Sequence, residues 1–540
     1  MSEMTTLVGL LDHKARTQPE IAPLEFLGDT ANPPNYADLD RLARATAARL
    51  TELTAPGDRV LLVMPSGTDF VATFFGCLYA RVLPVPCPPP LPGPMAERFA
   101  AIVADCAPNL LVTERDWVAM LAAVEGPKLV SAHELRESAT DPADFVLPEV
   151  RPSNTAYLQY TGGTTGSPRG IVLTHANVLA NLALASADNV LTGEDLMIGW
   201  LPLFHDLGLV SQVLQPLYDG YRVVMMQPQD FVADPAHWLR TVSERAATMA
   251  ALPGFAYDML LRRIPAAERA TLRLDRLRIA RTGAEVLDPA QITEFLAGFA
   301  ASGLRPESLS TAYGLGEAVV HVCIAPLNTP PVMVRADRQR LERGEVVSGA
   351  EDAETVLLAG SGRPGSGVWV TIASLDEQRS LPEGFVGEIM ITGSSVAAGY
   401  WGVEGGTIAV GGVDGFLPTG DLGCLLDGEL FVLGRTADLI VAEGRWIFPV
   451  DVERTAASAT PSVRAHACAV FAVDGAVVLV AETKHADEAA IEAIRAGVLA
   501  RHGLELKDIR LVGRGSLPMT TSGKLRRGRT RDLYQQGALN

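Results

Sequence analysis

The sequence predicts an α/β protein: a large N-terminal domain of layered α/β subdomains plus a β-rich subdomain, and a small α+β C-terminal domain. Three observations predict this fold class. Apolar runs of strand length alternate with helical patterns up to about residue 330, short alternating segments with turn glycines follow, and roughly the last hundred residues change pattern again. A chain of 540 residues is also long enough for two or more sizeable cores.

The first part of the chain shows a β–α–β alternation. Residues 36–53 carry apolar residues at helical spacing, "DRVLLVMP" has the composition of a buried strand, and "DFVATFFGCLYARVLPVP" predicts a helix that returns to a strand. The proline-rich segment 84–94 predicts a loop, because proline donates no backbone hydrogen bond. A helix beginning at "AERFAAIVADC" and a strand at "APNLLVT" continue the alternation, which is typical of layered α/β domains.

The second part of the chain departs from this alternation. The stretch 331–360 is charged and loosely patterned, and "GVWVTIAS", "FVGEIMITG" and "GELFVLG" then predict the β-rich subdomain. The final segment predicts a small α+β unit that ends in the basic sequence "SGKLRRGRTRDLY". We therefore expect an N-terminal domain over 1–435 and a C-terminal domain over 436–540.

Composition excludes several classes of function. The formal net charge of −18 argues against a nucleic-acid-binding protein, which usually carries a basic excess. The six cysteines form no C-x-x-C pair and no metal-ligand spacing with histidine, which predicts reduced, mostly buried thiols. The N-terminal segment lacks the features of a signal peptide, and no stretch approaches the roughly 20 apolar residues of a membrane span. These features predict a cytoplasmic protein without a membrane span.

The segment "QYTGGTTGSPRGIVLTHANV" (159–178) has the composition of an anion-binding loop. Its glycines let the backbone approach a phosphate, its hydroxyl and N–H groups suit phosphate oxygens, and Arg169 adds a forked cation. It is not a Walker loop, because no Lys-Thr or Lys-Ser pair follows the glycines. Loops of this composition also occur as surface turns, so the loop alone leaves both interpretations open.

Four other segments accompany the loop. They are "WLPLFHDLGLV" (200–210), "TGAEVL" with "TAYGLGEAVV" (282–287 and 311–320), "FLPTGDLGCLLDGELFVLGR" (416–435) and "PMTTSGKLRR" (518–527). In this order and spacing, the five motifs resemble the adenylate-forming superfamily of acyl-CoA synthetases, luciferases and nonribosomal adenylation domains, over about residues 7–535. With "GCLYARVLPVPCPPP", "GFAYDML" and "FVGEIMITGSSVAAGYW", the chain is most similar to the fatty acyl-AMP ligase branch.

This resemblance implies a function. Enzymes of the branch use ATP and Mg²⁺ to convert a carboxylic, typically fatty, acid into an acyl-adenylate with release of pyrophosphate. They then transfer the acyl group to the phosphopantetheine thiol of an acyl carrier protein or of a carrier domain in a polyketide or nonribosomal synthase. The resemblance also implies that the C-terminal domain is mobile. An acyl-CoA or aryl-CoA ligase, an amino-acid adenylation domain and a degenerate, non-catalytic interaction protein remain as alternatives.

The resemblance also assigns roles to residues. It implies that Lys524 reaches the reacting carboxylate and α-phosphate, that Glu317 holds Mg²⁺ and that His205 orients the acid. Tyr313 stacks on adenine, Asp421 accepts hydrogen bonds from the ribose, and Arg435 steadies the ribose or phosphate. The remaining nucleotide-binding residues are the phosphate-loop residues Thr161, Gly162, Gly163, Thr164, Thr165, Gly166 and Arg169, and the base-lining residues Gly283, Ala284, Glu285 and Gly314. Without the other motifs, each of three residues has a non-catalytic interpretation. Glu317 would cap a helix, Asp421 would shape a turn, and Lys524 would be one charge of a solvated basic tail.

The chain departs from the family pattern at three places. Gly162 replaces a hydroxyl residue and Arg169 replaces a lysine in the phosphate loop, and we expect ATP binding to survive these changes but to be weaker. Ala437 occupies a hinge position that usually carries a charge, which leaves the balance between domain orientations open. Residues of about 333–358 lie where the ligase branch carries an insertion. We expect this segment to pack at the domain interface and disfavour CoA use, so deleting it should raise acyl-CoA formation; a solvated loop is the alternative.

Overall fold

The computed structural model describes residues 4–28, 32–137, 141–160, 168–349, 354–397, 399–403, 415–484, 488–520 and 523–539. Its helices, in chain order, are α1 (Leu7–Thr17), α2 (Tyr36–Leu53), α3 (Thr68–Tyr79), α4 (Pro94–Cys106), α5 (Val118–Leu121), α6 (His175–Asn189), α7 (Asp206–Leu209), α8 (Gln215–Asp219), α9 (Pro228–Ala233), α10 (Pro235–Glu244), α11 (Gly254–Arg263), α12 (Ala266–Arg269), α13 (Pro289–Phe299), α14 (Arg338–Leu341), α15 (Pro449–Ala459), α16 (Glu488–His502) and α17 (Arg527–Gln535). A π-helical turn, Val210–Leu214, joins α7 to α8.

The strands, in chain order, are β1 (Leu24–Phe26), β2 (Arg59–Val63), β3 (Leu83–Pro86), β4 (Leu110–Thr113), β5 (Lys128–Ser131), β6 (Thr155–Tyr160), β7 (Gly170–Thr174), β8 (Leu196–Gly199), β9 (Arg222–Met225), β10 (Met249–Ala251), β11 (Ile279–Gly283), β12 (Leu309–Tyr313), β13 (Cys323–Ile324), β14 (Met333–Asp337), β15 (Thr355–Ala359), β16 (Arg363–Pro364), β17 (Val368–Ala373), β18 (Gly387–Gly393), β19 (Gly399–Tyr400), β20 (Leu417–Leu426), β21 (Glu429–Arg435), β22 (Ile440–Ala442), β23 (Arg445–Ile447), β24 (Val463–Val473), β25 (Ala476–Thr483) and β26 (Leu506–Val512).

Two parallel sheets and a small antiparallel sheet form the first part of the molecule. The larger sheet has the order β1-β9-β8-β10-β11-β12-β13-β16 and is parallel from β1 to β12. The smaller parallel sheet has the order β3-β2-β4-β5, and β19-β7-β6 is antiparallel. The predicted helix over 36–53 is α2, and it begins at a capping box between Asn35 and Asp38. This part therefore has the layered α/β architecture that the sequence predicts.

The β-rich region is a four-stranded antiparallel sheet with the order β17-β18-β20-β21. The last part of the chain forms a three-stranded sheet, β24-β25-β26, covered by α15 and α16. Its apolar residues form two clusters of their own, one around Val452, Leu479 and Ile494 and the other around Phe471 and Val480. Separate clusters of this kind are typical of a unit with its own core.

Two segments differ from their predictions. The loop predicted over 84–94 begins too early: Pro84 and Pro86 lie inside β3, the strand predicted at the end of "DFVATFFGCLYARVLPVP". They are tolerated there because β3 is the edge strand of its sheet and needs few N–H donors. The charged stretch 331–360 contains the antiparallel hairpin β14–β15, whose register pairs Arg335 with Leu357. Ala336 and Leu341 of this segment are buried, so it has an apolar face as well as charges.

All six cysteines are buried and unpaired, as predicted. In the part of the chain that the structure describes, no helix is both long and apolar enough to cross a membrane.

Candidate active site

A cleft of about 1620 Å³ opens at the carboxyl ends of the parallel strands β11 and β12. Strands β20 and β21 form a second wall, and segments beyond residue 436 form a third. The carboxyl edge of a parallel sheet is a common site for ligands in α/β proteins, because the loops that follow the strands converge there. The predicted site residues that line this cleft are Arg169, His205, Gly283, Ala284, Glu285, Tyr313, Gly314, Glu317, Asp421, Arg435 and Lys524.

The end of β11 is shaped by close backbone packing. A Cβ atom at Gly283 would lie 2.2 Å from the carbonyl oxygen of Ala312, so only glycine fits where β11 and β12 approach. The next residue, Ala284, has a φ of 69°, a conformation that is costly for a side chain with a Cβ. Glu285 accepts a hydrogen bond from the N–H of Gly254 at 2.7 Å. This packing holds residues 283–285 in a fixed position at the cleft wall.

A buried network joins the two walls of the cleft. The hydroxyl of Tyr313, at the end of β12, donates to Oδ2 of Asp421 in β20 over 2.7 Å. Arg435 is the cross-strand neighbour of Asp421, and its Nε lies 2.8 Å from Oδ1. Burial raises the pKa of Asp421, and the charge of Arg435 and the hydrogen bond from Tyr313 partly offset this rise. Each oxygen of Asp421 keeps a lone pair for a ligand.

Glu317 lies in a short turn after β12. Its Oε1 accepts a hydrogen bond from the hydroxyl of Tyr400 at 2.9 Å, and the guanidinium of Arg169 lies 5.4 Å from the centre of the Tyr400 ring. Burial raises the pKa of Glu317, while the Tyr400 hydroxyl acts in the opposite direction. A cation beside this carboxylate would favour its ionised form.

His205 and Asp206 form a close pair at the start of α7. The distance from Nδ1 of His205 to Oδ1 of Asp206 is 2.5 Å, and the N–H of Leu207 also donates to this carboxylate. Burial acts to raise the pKa of Asp206, but the pairing with His205, the Leu207 N–H and the charge of Lys524 lower it overall. Asp206 is therefore ionised, and it fixes the orientation of the His205 ring.

Lys524 belongs to the C-terminal part of the chain but faces the cleft. Its backbone is held in a tight turn, in which the Thr520 N–H donates to the Lys524 carbonyl at 2.7 Å and the Thr520 hydroxyl accepts from the Lys524 N–H at 2.9 Å. The charge of Lys524 lowers the pKa of both Asp206 and Asp421. One flexible cation thus acts on two separate acids of the N-terminal part.

Polar contacts hold the C-terminal part over the cleft. Arg454 in α15 forms an ion pair with Asp288 at 3.1 Å and donates to the Leu287 carbonyl at 2.9 Å. Nε2 of His466 in β24 lies 3.1 Å from Oδ2 of Asp258 in α11. The hydrogen bond to Asp258 raises the pKa of His466, although burial acts to lower it. These contacts are partly exposed ion pairs, which contribute little to stability individually.

The hairpin segment 333–358 contacts the C-terminal part at a second place. Buried Arg338 pairs with Asp451 at 2.9 Å, and its Nη1 is 3.2 Å from the ring of His502. The Glu342 carbonyl accepts from the Trp446 N–H at 2.7 Å, and the Glu342 carboxylate pairs with Arg445. Apolar residues of the hairpin and of β20 and β21 share one cluster with Phe448. The segment is therefore packed between the two parts of the chain.

The structure brings most of the predicted residues to one cleft. The phosphate loop predicted from the sequence lies outside the described residues; its members are Thr161, Gly162, Gly163, Thr164, Thr165 and Gly166. Sequence reasoning missed the contacts of Tyr400 with Glu317 and of His466 with Asp258. Tyr400 follows "SSVAAG" in a motif typical of the ligase branch, so a signal for it was present. No sequence signal marks His466, because its partner is distant in the chain.

Comparisons with known proteins agree with this geometry. The family model described as AMP-binding enzyme matches residues 11–401. A second model, described as Disco-interacting protein 2-like, AMP domain, matches residues 437–540. The two matches together cover most of the chain, and the second begins shortly after the end of β21.

Two curated relatives align along nearly the whole chain. The medium-chain-fatty-acid–[acyl-carrier-protein] ligase JamA of Moorena producens is 32% identical and covers 100% of this chain and 96% of its own length. The long-chain-fatty-acid–AMP ligase FadD32 of Mycobacterium marinum is 30% identical and covers 93% and 89%. A solved structure from a study of fatty acyl-adenylate ligases of E. coli and L. pneumophila superimposes with a TM-score of 0.90 at 31% identity, covering 98% of each chain.

Proposed function

Because the chain belongs to the AMP-binding enzyme family and to its fatty acyl-AMP ligase branch, we propose that it activates a fatty acid with ATP and delivers the acyl group to a carrier-protein thiol. In the first step, a carboxylate oxygen of the acid attacks the α-phosphorus of ATP, and the bond to pyrophosphate breaks. In the second step, the phosphopantetheine thiol attacks the acyl carbon, and AMP leaves. The carrier partner is suggested by the relative JamA, which is named an acyl-carrier-protein ligase.

One observation carries this proposal: a lysine of the C-terminal part lies over a cleft built by the N-terminal part. The charge of Lys524 lowers the pKa of Asp206, which pairs with His205, and of Asp421, which accepts a hydrogen bond from Tyr313. The acid and the triphosphate are both anionic, so their approach depends on charge neutralisation and positioning. Because this cation acts on both Asp206 and Asp421, it supports a role for Lys524 in stabilising the charge that develops at the α-phosphate.

The Tyr313 network suits the nucleoside. The free lone pairs of Asp421 are placed to accept hydrogen bonds from ribose hydroxyls, and Arg435 keeps that carboxylate oriented. The face of Tyr313 provides a surface for adenine, while its hydroxyl is held by Asp421. We assign the backbone of Gly283, Ala284, Glu285 and Gly314 to the wall beside the base, and the loop 161–166 with Arg169 to the phosphates.

The Glu317 carboxylate fits Mg²⁺. This ion is bound in nucleotide sites by one or two carboxylates together with phosphate oxygens and water, so a single partly buried carboxylate is a sufficient donor. Burial raises the pKa of Glu317, and a bound cation would oppose that rise. Bound there with phosphate oxygens, Mg²⁺ would neutralise negative charge on the triphosphate. Tyr400 would keep the Glu317 carboxylate oriented.

The second step requires that the thiol reach the acyl carbon that Lys524 covers. We propose that residues 436–540 form a domain that rotates about the hinge near Ala437, relative to a domain of residues 1–435. The polar contacts of Arg454 and His466 suit a surface that separates and re-forms. We further propose that the hairpin 333–358, through Arg338 and Glu342, restricts the orientation that free CoA would use.

A product analysis tests the proposal. The protein is incubated with ATP, Mg²⁺ and a series of aliphatic, aromatic and amino acids, and pyrophosphate release is measured. Acyl transfer is then compared between CoA and a holo-carrier protein at equal concentration. We expect release with aliphatic acids and transfer to the carrier alone. Transfer to CoA would identify a CoA ligase, release with amino acids alone would identify an amino-acid adenylation domain, and no release with any acid would contradict the function.

A further inference from the structure

A half-buried arginine lies in the wall of the cleft, away from the nucleotide network. Arg281 is in strand β11, two residues before Gly283, and lines the same cleft as His205 and Asp206. Burial lowers the pKa of Arg281 to about 10, so the guanidinium still carries its charge at neutral pH. A buried cation costs free energy unless it is hydrogen-bonded and paired. The role of this charge is not explained by the nucleotide site.

The guanidinium of Arg281 is incompletely satisfied by the protein. Its Nη2 donates to the side-chain oxygen of Asn189, at the end of α6. Its Nη1 is buried and has no hydrogen-bond partner, and no carboxylate forms an ion pair with Arg281 among the residues that the structure describes. Asp188 acts on it only through its more distant charge. A planar guanidinium with an unused donor is suited to an acceptor oxygen on a ligand.

His321 lines the cleft together with Arg281 and the His205–Asp206 pair. Its pKa is lowered to about 3, first by burial and then by the charge of Arg281, while the charge of Asp206 acts in the opposite direction. His321 is therefore neutral. Its backbone is fixed by Asn181, which donates to its carbonyl at 2.8 Å and accepts from its N–H at 3.2 Å. These polar groups therefore share one cleft with the His205–Asp206 pair.

We infer that the cleft selects an acid whose chain ends in an acceptor oxygen, as a carbonyl or a second carboxylate, and that Arg281 donates to this oxygen. The inference rests on the proposed function, because it concerns the acid that the ligase activates. With the reacting carboxylate at His205, the chain extends past His321 and its remote end meets Arg281. An unsubstituted chain would leave the Nη1 donor of Arg281 unpaired, at a cost in free energy that an acceptor oxygen removes.

A matched substrate series tests this inference. Pyrophosphate release with ATP is measured for hexanoic, octanoic and decanoic acids and for their ω-oxo and ω-carboxy counterparts. We expect kcat/KM to be at least about tenfold higher for an oxygenated acid than for the unsubstituted acid of the same length. A preference for the ω-carboxy acids identifies an anion as the ligand, and a preference for the ω-oxo acids identifies a neutral acceptor. Wild-type preference for the unsubstituted acids overturns the inference.

Two variants separate recognition from a structural role. Arg281→Met keeps the length of the side chain but removes its donors, so the oxygenated acids should lose about tenfold to a hundredfold in kcat/KM while the unsubstituted acids lose none. Asn189→Ala removes the protein partner of Arg281 and should keep the substrate preference. Equal losses for both series in Arg281→Met would show a structural role and overturn the inference. If Arg281→Met does not fold, the wild-type series decides alone.

The outcomes also separate this inference from the proposed function. Release with unsubstituted acids, together with carrier transfer, would leave the ligase function intact while the role of Arg281 fails. Absence of release with every acid in both series would contradict the function itself.

Discussion

The two sides of the cleft are built in different ways. The side proposed to bind the nucleotide is interlocked, because Tyr313 and Arg435 both bind the buried carboxylate of Asp421 and join two sheets. The opposite side is formed by Lys524 on a tight turn and is held in place by the polar pairs of Arg454 and His466. This difference indicates that one side is preorganised to bind a ligand, whereas the other is held by ion pairs that water can replace.

The largest test of this contrast is Lys524→Ala. If the C-terminal side contributes charge stabilisation rather than binding, adenylate formation should fall by about a hundredfold to a thousandfold while the Kd for ATP changes far less. Pyrophosphate release and calorimetry measure the two effects. Lys507→Ala, at an exposed position of β26, is the matched control and should retain full activity. Undiminished release in Lys524→Ala would remove the basis for the proposed mechanism.

Asp421→Asn tests the nucleotide side. The amide keeps the shape of the carboxylate but loses its charge and one acceptor position, so we expect the Kd for ATP to rise by about tenfold to a hundredfold. Calorimetry with ATP measures the change. Asp427→Asn, in an exposed turn of the same sheet, is the control and should bind ATP normally. Unchanged affinity in Asp421→Asn would mean that the Tyr313 network serves the fold alone.

Arg338→Met tests the contact between the hairpin and the C-terminal part. Removing the buried partner of Asp451 should loosen this contact and make CoA thioester formation detectable, where the wild type forms carrier thioester alone. Arg340→Met, on the same helix but paired at the surface with Glu345, should change neither product. This test is sharper than deletion of 333–358, which would also remove the buried residues of the hairpin. A CoA product that stays at zero with adenylation intact would contradict the role.

His466 gives the smallest and pH-dependent effect. Its pKa is raised above the usual 6.5 by Asp258, and Glu285 and Asp288 add to the rise against the effect of burial. Protonated His466 therefore stabilises docking, fully below pH 6.5, and this stabilisation is lost as the pH rises through the raised pKa. In His466→Asn, the ratio of thioester to adenylate formation should lose about a twofold to threefold dependence on pH between about pH 6 and pH 9.

The control for the pH experiment is His133→Asn, at an exposed histidine that is not part of the cleft lining. Its pH profile should match that of the wild type. A wild-type profile that is flat over the same range, or one that His466→Asn leaves unchanged, would show that this contact does not limit domain movement.

Much of the fold was predictable from local sequence. Helix α2 and strand β2 follow from apolar periodicity, and their boundaries lie where capping and turn residues end the pattern. The error over Pro84 and Pro86 has a physical origin, because a single sequence does not reveal that β3 is an edge strand. The hairpin over 333–358 was missed because its apolar residues are sparse and are buried by residues far along the chain.

The candidate site was predictable as a set of residues but not as a network. Motif order identified Glu317, Asp421 and Lys524, since each belongs to a segment with a recognisable pattern. The bond between Tyr313 and Asp421 spans 108 positions, and the contact of His466 with Asp258 spans 208. Such contacts depend on how whole sheets are placed, which periodicity and composition do not encode.

Phe448 gives the hairpin cluster an energetic consequence for turnover. It is 8% exposed and packs with residues of β20, β21 and the hairpin, yet it lies beyond the proposed hinge near Ala437. The proposed rotation of residues 436–540 would therefore expose this aromatic ring to water, at a free-energy cost of roughly 2 kcal/mol. Such a cost would favour the orientation in which Lys524 faces the cleft by about thirtyfold. Binding of the adenylate or of the carrier thiol would then have to offset it.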